Sequence, residues 1–181
     1  NDTKKYFENK VPEKGVLYDI TKLPKIVEEP LYNCEIIIRN QDSLDMALDF
    51  ITEGYSKPLV LNMASDKKSG GGVQSGKIAQ EECLVRRTNA FQTHNEEWYP
   101  LSINDVIYSP VIQIIKDSNY DMLEKETIDN AIISMIAVAA LRKPDLVNNE
   151  YLDGDKIIMM NKIESIFKIA ILNGRSELVL G

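Results

Sequence analysis

Residues 70–82 read Gly-Gly-Gly-Val-Gln-Ser-Gly-Lys-Ile-Ala-Gln-Glu-Glu, three flexible positions a short distance before two adjacent carboxylates. Without a Cβ, Gly70, Gly71 and Gly72 let the backbone take positive φ values, turn its amides toward one point and admit a bulky anion. Such a loop can hold a diphosphate without lysines. A helix following it would add the partial positive charge of its unpaired first amides. Glu81 and Glu82 supply a second kind of chemistry. A carboxylic acid beside another negative group, partly closed off from water, keeps its proton near neutral pH and can give it to a leaving oxygen. Glycoside cleavage needs such an acid. Neighbours on a helix point about 100° apart, so one glutamate can protonate the leaving group while the other holds a sugar hydroxyl. The plainer alternatives are a flexible surface loop, glutamates that favour the helix dipole, and a Glu82–Arg86 pair at i,i+4.

The elements on either side are those that would position this string. Residues 58–63, Pro-Leu-Val-Leu-Asn-Met, read as a buried strand, residues 65–76 as a polar loop and residues 79–90 as a helix. Upstream, Glu35 to Arg39 is a short β-branched run suited to a strand. Leu44, Ala47, Leu48 and Ile51 recur at helical spacing behind Asp42, a suitable cap. Downstream, residues 106–116 predict a pair of short strands broken near Pro110, because proline lacks the amide that a central ladder uses. Residues 128–141 are almost continuously apolar and are read as a helical start near Thr127 followed by a strand over 134–141. Residues 155–173 form a long amphipathic pattern closed by Gly174, and residues 177–180 return to strand. The alternation predicts an α/β sandwich.

With 181 residues and 44% hydrophobic content, the chain suits one domain with one core, and it shows neither repeats nor a dividing linker. No stretch approaches the roughly 18 apolar residues of a membrane span, and the first residues lack a signal peptide's apolar core. A cytoplasmic protein is expected, or a nuclear one in a eukaryote. The net charge of −7 argues against a broad basic face for DNA, so direct DNA binding is not expected. Lys67, Lys68 and Lys77 flank the glycine loop and can steer a polyanion locally; solvated loop lysines are the bland alternative. Cys34 and Cys83 are read as buried, reduced thiols, and His94, in a polar stretch without a second ligand, as a surface histidine. No metal site and no cofactor are expected.

In its order, three glycines, seven residues and Gln80-Glu81-Glu82, the string resembles the signature of the poly(ADP-ribose) glycohydrolase family. Six specified residues at such spacing arise by chance roughly once in tens of thousands of chains this size. Residues 60–64, 86–89, 108–110, 139–144 and 178–181 are similar to further family blocks in the expected order. The resemblance implies a single macrodomain-like domain over residues 1–181, a three-layer α/β/α sandwich with a mixed sheet. It implies hydrolysis of ribose-to-ribose O-glycosidic bonds in poly(ADP-ribose), or action on ADP-ribosylated protein, without a metal. Carried over to this chain, Glu82 is the general acid and Glu81 positions the ribose. Gly70, Gly71 and Gly72 bind the diphosphate, Gln80 braces the catalytic loop and Asn62 faces the ribose. The alternative is a module that binds ADP-ribose without cleaving it.

The chain departs from the family pattern at Ser65, where a second asparagine is usual, and at Ser69, often proline in the family. A serine can donate and accept in either place. It also stops at Gly181, where relatives continue into a second phosphate-facing loop, so the sequence is read as a domain truncated at its C-terminus. A weak or inactive fragment is the expectation that follows.

Overall fold

The computed structural model describes residues 2–26 and 34–181. In chain order the elements are α1 (Asp2–Phe7), β1 (Val16–Asp19), α2 (Ser43–Thr52), β2 (Leu59–Met63), α3 (Gln80–Arg87), α4 (Ala90–Thr93) and β3 (Asp105–Gln113). They continue as α5 (Lys125–Asn130), β4 (Ile132–Val138), β5 (Leu146–Val147), β6 (Glu150–Tyr151), α6 (Asp153–Leu172) and β7 (Leu178–Val179). A mixed sheet of order β1-β3-β4-β2-β7 forms the middle layer, and β5 pairs with β6 in a separate hairpin. β1 runs antiparallel to β3 and β3 to β4, whereas β2 lies parallel to both β4 and β7.

Strand alternation divides the core between two faces. Val60 of β2 and Ile133 and Met135 of β4 pack with Leu44 and Ala47 of α2 and Leu84 and Val85 of α3. On the opposite face Leu59, Tyr108, Ile136 and Val138 meet Ile166, Ile169 and Ala170 of α6. The result is the α/β sandwich that the alternation of elements predicts, in the three-layer α/β/α form with a mixed sheet that the resemblance implies. The register of β2 on β4 pairs Met63 with Val138, so both strands end at one edge of the sheet. The segments after them therefore lie side by side, joined where the Ala64 amide donates to the Val138 carbonyl at 3.1 Å.

The helix over residues 43–52 begins as its sequence predicts. Asp42 accepts from the amides of Leu44 at 2.9 Å and Asp45 at 3.1 Å, a cap contributing about 1 kcal/mol. Arg87, 2% exposed at the end of α3, reaches across to the same turn. Its guanidinium donates to Asp42 and Asp45 at 2.7 Å each and to the Lys116 carbonyl at 3.1 Å. The network ties α3, and so the glutamates, to α2 and to the segment after β3. Arg87→Met is expected to lower the unfolding free energy by about 3 kcal/mol, the lower end for breaking a buried pair, because both aspartates keep some contact with water. Urea unfolding would measure it, and a loss below about 1 kcal/mol would reduce the network to the rank of a surface ion pair.

Several expectations are corrected. Glu35 to Arg39 is not a strand but exposed, irregular chain, with Ile36 83% and Ile38 93% accessible. β-Branched residues favour a ladder only where a neighbouring strand supplies one, and the sheet edges here are β1 and β7. Residues 105–113 make one strand rather than a broken pair. A register shift between Ser109 and Ile112 takes Pro110 out of the ladder as a bulge. The strand placed at 134–141 runs from Ile132 to Val138, and the helix placed at 79–90 spans Gln80–Arg87. α6 is present and is followed by Gly174 at a φ of 61°, yet it is not amphipathic. It buries Lys162, Ser165 and Ile166 while Ile157, Met160 and Phe167 stay exposed, so apolar residues occupy both of its sides. Among the described residues no helix is long and apolar enough to cross a membrane.

Candidate active site

The glycine loop and the glutamates that follow it are one interlocked unit. Residues 64–79 leave the end of β2 and return into α3, whose first turn carries Glu81 and Glu82, 4% and 5% exposed. Both side chains turn back beneath the loop. Glu82 Oε1 accepts from the Gly72 amide at 2.6 Å, and Glu81 Oε2 accepts from the Ser65 amide at 2.8 Å. The Gly70 amide and the Asn62 side chain also favour the charged form of Glu81. The second oxygen of each carboxylate, Glu81 Oε1 and Glu82 Oε2, is buried without a hydrogen-bond partner in the protein. Each acid thus has one oxygen fixed and one free.

Gly71 explains why the string needs a residue without a side chain. Its φ is 54°, and a Cβ there would lie 2.6 Å from Glu81 Oε2 and 2.6 Å from Glu82 Oε1. The position is occupied on its inner side by both carboxylates, whose convergence is closer than their 100° separation on the helix suggests. Gly72 is crowded from outside instead, because its Cβ would fall 2.3 Å from Cδ of Lys77.

Burial pushes the Glu81 carboxyl up to about 7, with the Glu82 charge adding to the effect and the Ser65 amide and Asn62 opposing it. With its ordinary value near 4.5, Glu81 is proton-bound when folded and ionised when unfolded between pH 4.5 and 7. Its contribution to stability is therefore complete below pH 4.5 and lost as pH rises through about 7. His94 acts in the opposite sense, because burial lowers it from 6.5 to about 4 and its contribution is lost as pH falls through that range. Melting temperatures from pH 4.5 to 7 should therefore climb more steeply for Glu81→Gln than for the parent protein. Parallel profiles would show that the Glu81 carboxyl is not shifted.

Glu81, Glu82, Gly71 and Gly72 line a cavity of about 380 Å³, together with Ser65, Lys68, Lys77 and Arg142. Gln80 and Asn62 lie behind it. The Gln80 side chain accepts from the Met63 amide at 2.8 Å and donates to the Leu61 carbonyl at 2.6 Å, so it clips the start of α3 to the end of β2. Asn62 is 1% exposed and sits against Glu81. Arg142, which pairs with Asp66, enters from the segment after β4. The parallel register of β2 and β4 brings it there, and although residues 139–144 resemble a family block, nothing in that block singles out Arg142 as a cavity residue. Arg86 does not pair with Glu82; its guanidinium donates to the carbonyls of Val73 and Lys77.

His94 is 8% exposed rather than on the surface, and its Nδ1 shares a hydrogen bond of 2.8 Å with the Tyr99 hydroxyl. Ser69, the residue before the glycines, lies 3.4 Å from the same nitrogen, so the polar stretch around His94 folds under the loop. The cysteines are free but not buried: Cys34 is exposed, and Cys83, half-buried, accepts a hydrogen bond from the Tyr120 hydroxyl at 3.1 Å. Cys34 begins the exposed, irregular chain over residues 34–39, and Cys83 lies on α3.

Residues 3–117 match the family model described as the catalytic domain of microbial-type PARG, which is well over half of the chain. The chain belongs to this family. Poly(ADP-ribose) glycohydrolase from Thermomonospora curvata superposes with a TM-score of 0.74 at 20% identity, over 91% of this chain and 64% of that one. The same enzyme bound to the inhibitor ADP-HPD gives a TM-score of 0.72 at 21% identity, over 91% and 63%. The enzyme from Deinococcus radiodurans in complex with ADP-ribose gives 0.59 at 23% identity, over 76% and 59%. These likenesses establish the fold. The chain spans about three fifths of the length of these structures, from 59% to 64%. No curated protein matches it.

Proposed function

We propose that this protein hydrolyses ribose-to-ribose O-glycosidic bonds of poly(ADP-ribose) and releases ADP-ribose. The observation that carries the proposal is the pair of buried glutamates under the glycine loop, which line the cavity and each have one oxygen anchored and one without a partner in the protein. Family membership and the ADP-ribose complex of the Deinococcus radiodurans enzyme support the substrate class.

In this scheme Glu82 is the general acid. Its Oε1 is held by the Gly72 amide; substrate lying over the pair closes it from water, so that Glu82 also takes up a proton, and Oε2 delivers it to the departing ribose 2′ oxygen as an oxocarbenium-like centre forms. The carboxylate so formed then takes a proton from the attacking water, and the acid is restored. Glu81, proton-bound up to about pH 7, donates from its free oxygen to a ribose hydroxyl and orients the sugar. Gln80 and Asn62 act as positioning residues, one clipping α3 to β2 and the other holding Glu81. The diphosphate lies over Gly70, Gly71 and Gly72, along the cavity wall to which Gly71, Gly72, Lys68 and Lys77 contribute.

The test is turnover. Incubation with poly(ADP-ribose), using this chain and any longer form that its gene encodes, should release free ADP-ribose. Binding of ADP-ribose with no release from either form would turn the proposal into a non-catalytic reader of the polymer.

A further inference from the structure

The amides of the glycine loop are already engaged within the protein. The Gly72 amide donates to Glu82, the Gly71 amide to the Lys68 carbonyl at 3.2 Å, and the Gly70 amide favours the charged form of Glu81. An anion lying over this loop therefore needs positive charge from elsewhere. The cavity wall supplies it in a protein whose overall charge is −7.

Lys77 is placed for this by the loop itself. Its amide donates to the Gly72 carbonyl at 3.2 Å, and its own carbonyl accepts from Arg86, so the residue is fastened on both sides of its side chain. The stem then packs into the space that a Cβ at Gly72 would fill, with Cβ, Cγ and Cδ lying 3.0, 2.7 and 2.3 Å from that point. Lys77 lines the same cavity as Glu81 and Glu82, yet its ammonium makes no ion pair among the described residues. Lys67 and Arg142, by contrast, both pair with Asp66. A lysine whose stem is seated and whose charge is uncommitted differs from one that waves in solvent, because less side-chain freedom is lost when it meets a ligand.

We propose that Lys77 is a phosphate-binding residue of this cavity, seated on Gly72 so that its ammonium meets a phosphate group lying over the glycine loop. The inference rests on the cavity's being the diphosphate seat of the proposed hydrolase. It gives Gly72 a role distinct from that of Gly71, since one glycine makes room for the carboxylates and the other for the lysine stem.

The probe is inorganic pyrophosphate, titrated by calorimetry at low and at moderate salt into the parent protein, Lys77→Met and Lys77→Arg. Methionine keeps an unbranched stem on Gly72 and removes only the charge. Lys77→Met should bind pyrophosphate about five- to tenfold more weakly at low salt, with the gap narrowing as salt rises, and Lys77→Arg should restore binding to within about twofold. Equal affinities for the parent and Lys77→Met, or no binding by the parent, would overturn the proposal. Lys77-dependent binding in a protein that releases no ADP-ribose would leave this inference standing and defeat the hydrolase instead.

Discussion

Glu82→Gln should reduce the turnover of poly(ADP-ribose) by about a thousandfold while leaving the affinity for ADP-ribose within about threefold of the parent. A positioned general acid is worth roughly 10² to 10⁴ in rate, and the substitution removes the transferable proton with almost no change in shape. The geometry explains why binding should survive. Glu82 Oε1 serves the loop by accepting from the Gly72 amide, a contact that the glutamine amide oxygen can keep, and Oε2 is the atom free for chemistry. Glu81→Gln divides the roles further. It should weaken turnover less than Glu82→Gln, because a neutral amide can still donate to the ribose as the protonated Glu81 does. Equal losses from both substitutions would show that the two carboxyls act as a single acid pair, and full activity in Glu82→Gln would remove Glu82 from the chemistry.

Gly71→Ala should be the most damaging single methyl group in the protein. At a φ of 54° an alanine costs about 1–2 kcal/mol in backbone strain, and its Cβ would stand 2.6 Å from an oxygen of each glutamate. Such contacts are relieved only if the carboxylates or the loop move away, so activity should fall below about 1% of the parent, on the scale of losing a positioned acid. Gly54→Ala is the control. Gly54 has a φ of 97° and nothing within 4 Å of its Cβ position, so that variant bears backbone strain without a collision. Comparable thermal destabilisation in the two variants, with activity lost only in Gly71→Ala, would assign the effect to the carboxylates. Unchanged activity in Gly71→Ala would mean that loop and glutamates are not interlocked.

The legible parts of this protein were those specified by contiguous residues. Asp42 ahead of an apolar periodicity announces its helix, and the strand, glycine loop and helix around residues 59–87 follow from chemistry encoded locally. What was hidden depends on neighbours distant in sequence. The β-branched run at 35–39 has every local sign of a strand, and only the order of the sheet shows that no edge receives it. His94 looks solvated among polar residues until Tyr99 and Ser69 close over it. Arg142 lies 60 positions after Glu82 and enters the cavity because β2 and β4 end together. Convergence of the two glutamates was obscured for a similar reason, since helical geometry separates them and the Gly72 and Ser65 amides draw them back.

The crystal structure of Glu82→Gln with ADP-ribose bears most directly on the central claim, that the two glutamates beneath the glycine loop face the bond to be cleaved. The distal ribose should occupy the cavity with its 1″ hydroxyl, which stands for the glycosidic oxygen, within about 3.2 Å of the side chain at position 82. The diphosphate should lie over residues 70–72. A ribose directed away from both carboxyl positions, or a ligand bound outside this cavity, would contradict the account.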